Sequence, residues 1–293
     1  MNASPLCFLN GDYQPLAEAR VPVLDRGFIF GDGIYEVVPV YGRRLFRFDE
    51  HLARLNRSLA KVRIPSPAGR DEWLERCRRL VAASAEATGS DDQVVYIQVT
   101  RGVAPRDHVM PQGVTPTVFM MCNPMKPASP EQRHAGVACT TARDFRWERG
   151  DIKSTSLLGN VLARQMSADH GATETIMFRD GFLTEAAASN VWVVHEGALL
   201  GPPKSDHVLE GIRVELLREL CDECGIAYNL RPIPEADVHA ADEVLLSSAT
   251  KEVLAVTKID GEPVGHGALR GKPGPVYGRL FEAYQQAKRT MSI

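Results

Sequence analysis

Long hydrophobic runs are missing from the 293 residues. None approaches the ~18 apolar residues that a membrane span requires, and residues 37–41 are typical of the longest. A charge excess is missing too: Lys and Arg number 34 against 37 Asp and Glu, a formal net charge of −3. With no long basic run, that balance argues against nucleic acid or an anionic membrane surface as the main partner. Cysteine is scarce, and six scattered thiols fit a reducing compartment better than a disulfide framework. Residues 1–15 lack the basic region and apolar core of a secretory leader, so the expected location is the cytoplasm. Internal repeats and low-complexity tracts are absent as well. What remains is ordinary globular composition, 44% hydrophobic and 24% charged. The length suggests about two domains, enough to bury roughly three-quarters of the unfolded surface without a metal or disulfide staple.

Short β-rich runs alternate with helical patterns, the mark of a mixed α/β fold. Val94, Tyr96 and Gln98 alternate with Val95, Ile97 and Val99 in a strand ending near Arg101, and residues 115–121 form another strand candidate. Asp49 is placed to cap a helix with the stripe Leu52, Leu55, Leu59 and Val62, closed by Pro65. Trp73, Cys77, Leu80, Val81 and Ala85 form a second stripe ending at Gly89. Leu217, Leu220, Cys221 and Cys224 form a third, followed by Gly225 just past the helix end. Residues 123–136, with Pro124, Pro127 and Pro130, break both periodicities. They read as a linker between an N-terminal domain, 1–122, and a larger C-terminal one, 137–293.

Four places could carry chemistry. Lys153 precedes a helix with Leu158, Val161 and Leu162 on one face. A lysine partly desolvated there would have a lowered pKa and a nucleophilic amine, able to form a Schiff base with an aldehyde; a solvated surface lysine fits the same pattern. Glu185 sits between Phe182-Leu183 and the small residues Ala186 to Ser189, ahead of a strand at 191–194. Small residues let the backbone approach a flat ligand, and the acid could then pair with a ring nitrogen; a turn with a surface Glu is the alternative. Gly211-Ile212-Arg213 opens a helical pattern, and Ser247-Ser248-Ala249-Thr250 follows a strand-like run. Free N–H groups at such places suit a phosphate, or are simply capped. Cys221 and Cys224 form a CxxC in the last turn of a helix, not at the N-terminus where the dipole would stabilise a thiolate. No further ligand pair matches them, so they read as core and no metal is expected.

Several segments together resemble the fold-type IV aminotransferases that use pyridoxal 5′-phosphate (PLP), a family with branched-chain and D-amino acid aminotransferases and aminodeoxychorismate lyases. The resemblance runs from about residue 12 to residue 261. Asp25-Arg26-Gly27-Phe28 with Phe30-Gly31-Asp32-Gly33-Ile34-Tyr35-Glu36 is similar to the family's N-terminal signature. Phe48-Asp49-Glu50-His51 with Arg54-Leu55 is similar to its phosphate-arginine helix, although Arg54 lies off the apolar stripe and the pattern alone makes it solvated. Lys153 with Asn160-Val161-Leu162 matches the Schiff-base lysine segment, and Glu185 with Ser189-Asn190-Val191 matches the glutamate that pairs with the pyridine nitrogen. Leu209, Gly211 and Ile212 match residues under the ring and beside the phosphate; Ser248, Ala249 and Thr250 match a second phosphate turn. Two residues depart from the pattern: Arg213 and Ala249 stand where the family commonly has Thr, which removes two hydroxyls.

The resemblance implies a two-domain fold, with a smaller N-terminal α/β domain and a larger C-terminal pseudo-barrel domain. It implies a homodimer whose site is shared between subunits, acting on small amino and 2-oxo acids. The loop from Arg101 to Pro111 is similar to that of D-amino acid aminotransferases, in which an Arg and a His two residues on bind the substrate carboxylate in the partner's site. Arg106 and His108 match that pair and Tyr35 matches a tyrosine beside it; a guanidinium fork suits a carboxylate, whereas without the resemblance both residues read as a solvated loop. The expected activity is therefore amino-group transfer from a D-amino acid to 2-oxoglutarate or pyruvate. The alternatives on this scaffold are a branched-chain L-amino acid aminotransferase, an (R)-amine transaminase and, less so, an aminodeoxychorismate lyase.

Overall fold

The computed structural model describes residues 5–293; residues 1–4, the beginning of the stretch without a leader pattern, lie outside it. The chain separates into two compact units. The first runs to Lys126 and also takes Ile152–Leu157 and the C-terminal Met291–Ile293; the second holds Pro127–Asp151 and Leu158–Thr290. The segment bearing Lys153 therefore belongs with the first unit.

The first unit contains β1 (Leu6–Leu9), β2 (Asp12–Pro15), α1 (Arg26–Phe30), β3 (Gly33–Tyr41), β4 (Arg44–Leu45), α2 (Phe48–Lys61), α3 (Arg70–Thr88), β5 (Gln93–Thr100) and β6 (Thr117–Pro124). Its six strands pair antiparallel in the order β2-β1-β6-β5-β3-β4. Val38, Val40, Val95, Ile97, Val118 and Met120 alternate toward a core that they share with Leu55, Leu59, Trp73, Cys77 and Leu80 of the two long helices. That alternation is the period-two signature expected of β5. α3 ends at Gly89 in the left-handed conformation (φ 70°), as anticipated. α2 differs from its expected start. Arg47, not Asp49, is the residue preceding it, and Asp49 lies in the first turn, where a carboxylate suits the helix dipole and binds Arg70 at 2.6 Å.

The second unit contains α4 (Pro130–Ala135), β7 (Val137–Arg143), α5 (Leu158–Asp169), β8 (Glu174–Arg179), β9 (Phe182–Ala186), β10 (Asn190–His195), β11 (Ala198–Gly201), α6 (Ile212–Cys224), β12 (Tyr228–Leu230), α7 (Glu235–His239), β13 (Glu243–Ser248), β14 (Glu252–Ile259), β15 (Glu262–Pro263) and α8 (Pro275–Thr290). Nine strands form one mixed sheet, β12-β11-β10-β13-β14-β7-β8-β9 with β15 on β14. Its core gathers Ile176, Val191, Val193, Val244, Leu246, Leu254 and Val256. α6 ends at Gly225 (φ 62°), as expected. The proline-rich stretch 123–136 is more ordered than its composition suggests, since it holds the end of β6 and all of α4. Pro130 sits at the helix start, where its missing N–H costs nothing, and Ser129 and Gln132 cap each other reciprocally. Among the described residues no helix is long and apolar enough to cross a membrane.

Candidate active site

Lys153 is fixed through its backbone. Tyr35 N donates to Lys153 O at 2.9 Å, Ser154 bridges Ile34, and Thr155 N donates to Gly33 O at 2.9 Å. The half-buried amine Nζ stands 4.2 Å from the centre of the Tyr35 ring, which stacks on Tyr96 at 5.8 Å. Strand pleating sends Glu36, the next residue, to the opposite face. There it meets α2: Arg54 donates from Nε and Nη2 at 2.7 and 2.8 Å, and His51 Nδ1 lies 2.8 Å away. The three-residue spacing puts His51 and Arg54 on one side of the helix. Burial alone would raise the Glu36 carboxyl, but the charge of Arg54 and hydrogen bonds from Arg54 and His51 hold it well below the usual carboxylate range.

The second unit builds a network around Glu185 on β9. Arg146 Nη1 contacts Glu185 Oε1 at 2.5 Å, and its Nε and Nη2 bind Asp144 at 3.0 and 2.8 Å. Thr184 Oγ1 donates to Asp144 at 2.9 Å. Burial would raise the Asp144 carboxyl, yet Arg146 holds it below its ordinary value, and Asp144 and Glu185 raise Arg146 in turn. The other Glu185 oxygen accepts from Leu209 N at 3.2 Å and, more loosely, from Asn190 Nδ2 at 3.5 Å, which also reaches Leu209 O at 3.1 Å. A Cβ on Gly211 would come within 2.1 Å of Asn190 Oδ1, so only glycine permits this approach. Arg213, two residues on, is buried; its Nη2 donates to Tyr284 OH at 2.9 Å and lies 3.5 Å from Ala249 O. Ser189 Oγ and Lys251 Nζ both bind the buried Glu174, at 2.8 and 2.7 Å, and Ser248 Oγ accepts from Lys251 N at 3.1 Å.

Comparison with known proteins bears on this arrangement. The model of the amino-transferase class IV family matches residues 33–259. The chain belongs to that family. This class IV aminotransferase is 38% identical to the D-alanine aminotransferase of Bacillus licheniformis over 278 residues, 95% of each chain. It is 36% identical to the D-alanine aminotransferase of Staphylococcus haemolyticus, over 95% of this chain and 96% of that one. Among solved structures, the Escherichia coli branched-chain amino acid aminotransferase superposes with a TM-score of 0.87 at 24% identity, over 97% of this chain and 94% of that one, a likeness of fold.

In this aminotransferase, Glu185, Asn190 and Leu209 meet directly, Gly211 closes on Asn190, and Arg213 reaches the Ala249 carbonyl. Tyr35 meets Lys153. Arg106 and His108, which the family pattern groups with Tyr35, instead rest on Phe30 in this single chain. Arg54 is buried, contrary to its place off the apolar stripe, because Glu36 compensates its charge. Sequence reasoning passed over Arg146, Asp144 and the pairing role of Glu36; an Asp-x-Arg spacing is too common to signal anything. In the helix after Lys153 the apolar face of Leu158, Val161 and Leu162 is open to solvent in the single chain, the three being 72%, 59% and 52% exposed. Among the described residues no group of three His, Cys, Asp or Glu could hold a metal.

The Glu36–Arg54 pair makes a stability prediction. Replacing Glu36 by Gln strands a buried guanidinium, and breaking a buried pair in this way costs ~3–5 kcal/mol. The depressed Glu36 carboxyl contributes stability that is complete above the unfolded value of about 4.3 and is lost as pH falls below it. Urea midpoints of parent and Glu36→Gln protein should therefore differ by a constant amount from neutrality down to about 4.3 and converge only as pH falls further, toward the depressed native value. A deficit that stays constant far below that point would show that the pair is not the source.

Proposed function

We propose that this chain is a PLP-dependent transaminase that moves the amino group of a D-amino acid to a 2-oxo acid, 2-oxoglutarate or pyruvate, in two half-reactions. What carries the reading is likeness over 95% of both chains to a protein named D-alanine aminotransferase. The residues present fit PLP on their own chemistry. Glu185 is a carboxylate paired with a buried arginine, an arrangement that suits a protonated ring nitrogen. Gly211 lets Asn190 close on the start of α6, a helix whose first N–H groups suit a phosphate.

When bound, PLP supplies an electron sink for the charge released at the substrate Cα. Lys153 would hold it covalently and then carry the proton to and from Cα. Glu185 would keep the ring nitrogen protonated, with Arg146, Asn190 and the Leu209 N–H fixing the carboxylate; Leu209 would lie under the ring. Arg54, oriented by Glu36, would hold the phosphate together with Ile212 and the turn Ser248, Ala249 and Thr250. Arg213 is turned toward Tyr284, which supports a role in joining α6 to α8 rather than a side-chain phosphate contact. Ser189, through Glu174, would keep the start of β10 in place. Arg106, His108 and Tyr35 would take the substrate carboxylate. Reduction with borohydride should attach the yellow cofactor to the peptide containing Lys153, and labelling of another lysine would end this assignment.

The homodimer belongs to the same proposal. The exposed stripe Leu158, Val161 and Leu162 on α5 is the kind of apolar face that a second copy covers. The loop carrying Arg106 and His108 would then serve the neighbouring subunit. All six cysteines are free thiols, which supports the cytoplasm as its location.

A further inference from the structure

Phe30, the last residue of α1, gathers three side chains from two segments. The Arg26 guanidinium lies 4.7 Å from the ring centroid and that of Arg106 5.4 Å, both within the ~6 Å range of a cation–π contact. The His108 ring centroid is 5.4 Å away at a 44° tilt. Arg26 also donates from Nη1 to Asp107 O at 2.5 Å, holding the backbone between the two loop residues. Asp32 offsets the local positive charge, binding Arg26 Nε at 2.8 Å and the Arg101 fork at 2.7 and 3.0 Å.

α1 is itself tightly packed. A Cβ on Gly27 would come within 2.2 Å of Thr100, so the helix packs directly on β5, and Asp25 caps its start through Gly27 N. The loop is anchored at its base too: Gly102 adopts φ 98° in a space where a Cβ would strike Thr115 O, and Val103 bridges Asp25. Beyond that base, Arg106 and His108 flank Asp107, are exposed and make no hydrogen bond among the described residues; the Phe30 ring is what each rests on.

We infer that Phe30 is a positioning residue for carboxylate recognition, its ring holding Arg106 and His108 together as one preformed site. The inference rests on the reading of those two residues as carboxylate ligands. An aromatic platform restricts two rotamer-rich side chains before the substrate arrives, so less freedom is lost on binding. Binding that is equally strong in ground and transition states appears in KM and not in kcat. Both the amino donor and the 2-oxo acceptor carry the carboxylate, so both KM values should respond.

The test is steady-state kinetics of the PLP-loaded Phe30→Leu and Phe30→Met enzymes with D-alanine and 2-oxoglutarate, beside Phe30→Tyr, Arg106→Leu and the Phe30→Leu/Arg106→Leu double variant. We expect both non-aromatic variants to raise both KM values about 10-fold with kcat within about 3-fold, and Phe30→Tyr to stay near the parent. The Phe30→Leu effect should shrink once Arg106 is gone, since residues acting through one another are not additive. Parental KM values in Phe30→Leu or Phe30→Met, with Arg106→Leu impaired, would overturn the platform and leave the carboxylate reading intact. An unimpaired Arg106→Leu enzyme would overturn that reading and the platform with it. An equal Phe30→Leu effect with and without Arg106, or lost cofactor loading, would mark Phe30 as ordinary packing and overturn the inference.

Discussion

Lys153→Ala should remove transamination almost completely, lowering kcat by at least about 10⁴-fold, while the protein folds as before. General acid–base transfer alone is worth about 10²–10⁴-fold, and loss of the covalent attachment adds to it. The fold should survive because the segment is held by backbone groups: Tyr35 N on Lys153 O, the Ser154–Ile34 bridge and Thr155 N on Gly33 O. The side chain itself meets the Tyr35 ring at 4.2 Å, an interaction of ~0.5–1 kcal/mol. Activity and thermal unfolding of the variant check both halves. Substantial turnover in Lys153→Ala protein would mean that another group moves the proton.

Arg106→Leu should lose about 30- to 4,000-fold in efficiency on D-amino acids. Removing one partner of a charge-assisted pair and leaving the other charge unpaired costs ~2–5 kcal/mol, at 1.4 kcal/mol per decade. The loss should be chiral. In the proposed reaction the proton would leave Cα toward Lys153, so the Cα–H bond would face that amine, and carboxylate and side chain would lie on opposite sides of Cα. The pocket that takes the carboxylate thus decides which enantiomer presents its hydrogen to the lysine. Removing Arg106 should narrow the preference for D over L substrates as well as weaken it. Unchanged efficiency on D-alanine and D-glutamate would sink the assignment. Mixing Lys153→Ala with Arg106→Leu protein also tests the shared site, since hybrid dimers should regain activity; demonstrated subunit exchange without recovery would place both groups in one subunit.

Much of the fold was legible because apolar periodicity and glycine ends report directly on local structure. β5 alternates, and α3 and α6 stop at Gly89 and Gly225 as their patterns indicate. Where a feature depends on a distant partner, the pattern is silent. Arg54 is polar and off the stripe, yet Glu36, 18 residues away, makes its burial tolerable. Arg146 reaches Glu185 across 39 residues, and Phe30 meets Arg106 across a loop closure that no spacing announces. α5 shows the converse limit. Its apolar stripe was visible, but a stripe does not say what covers it, and within one chain Leu158 and Val161 stay exposed. α4 was hidden because Pro130 reads as a breaker unless its place at a helix start is known.

The most direct test of the account is the reaction of the PLP-loaded enzyme with D-alanine and with L-alanine, L-leucine and an (R)-amine, each against 2-oxoglutarate. The account predicts pyruvate and D-glutamate from D-alanine, with the L-amino acids and the amine at least about 30-fold less efficient, a margin of ~2 kcal/mol for a correctly placed carboxylate. A preference for L-leucine, or pyruvate released from an aminodeoxychorismate substrate without any amino acceptor, would contradict it.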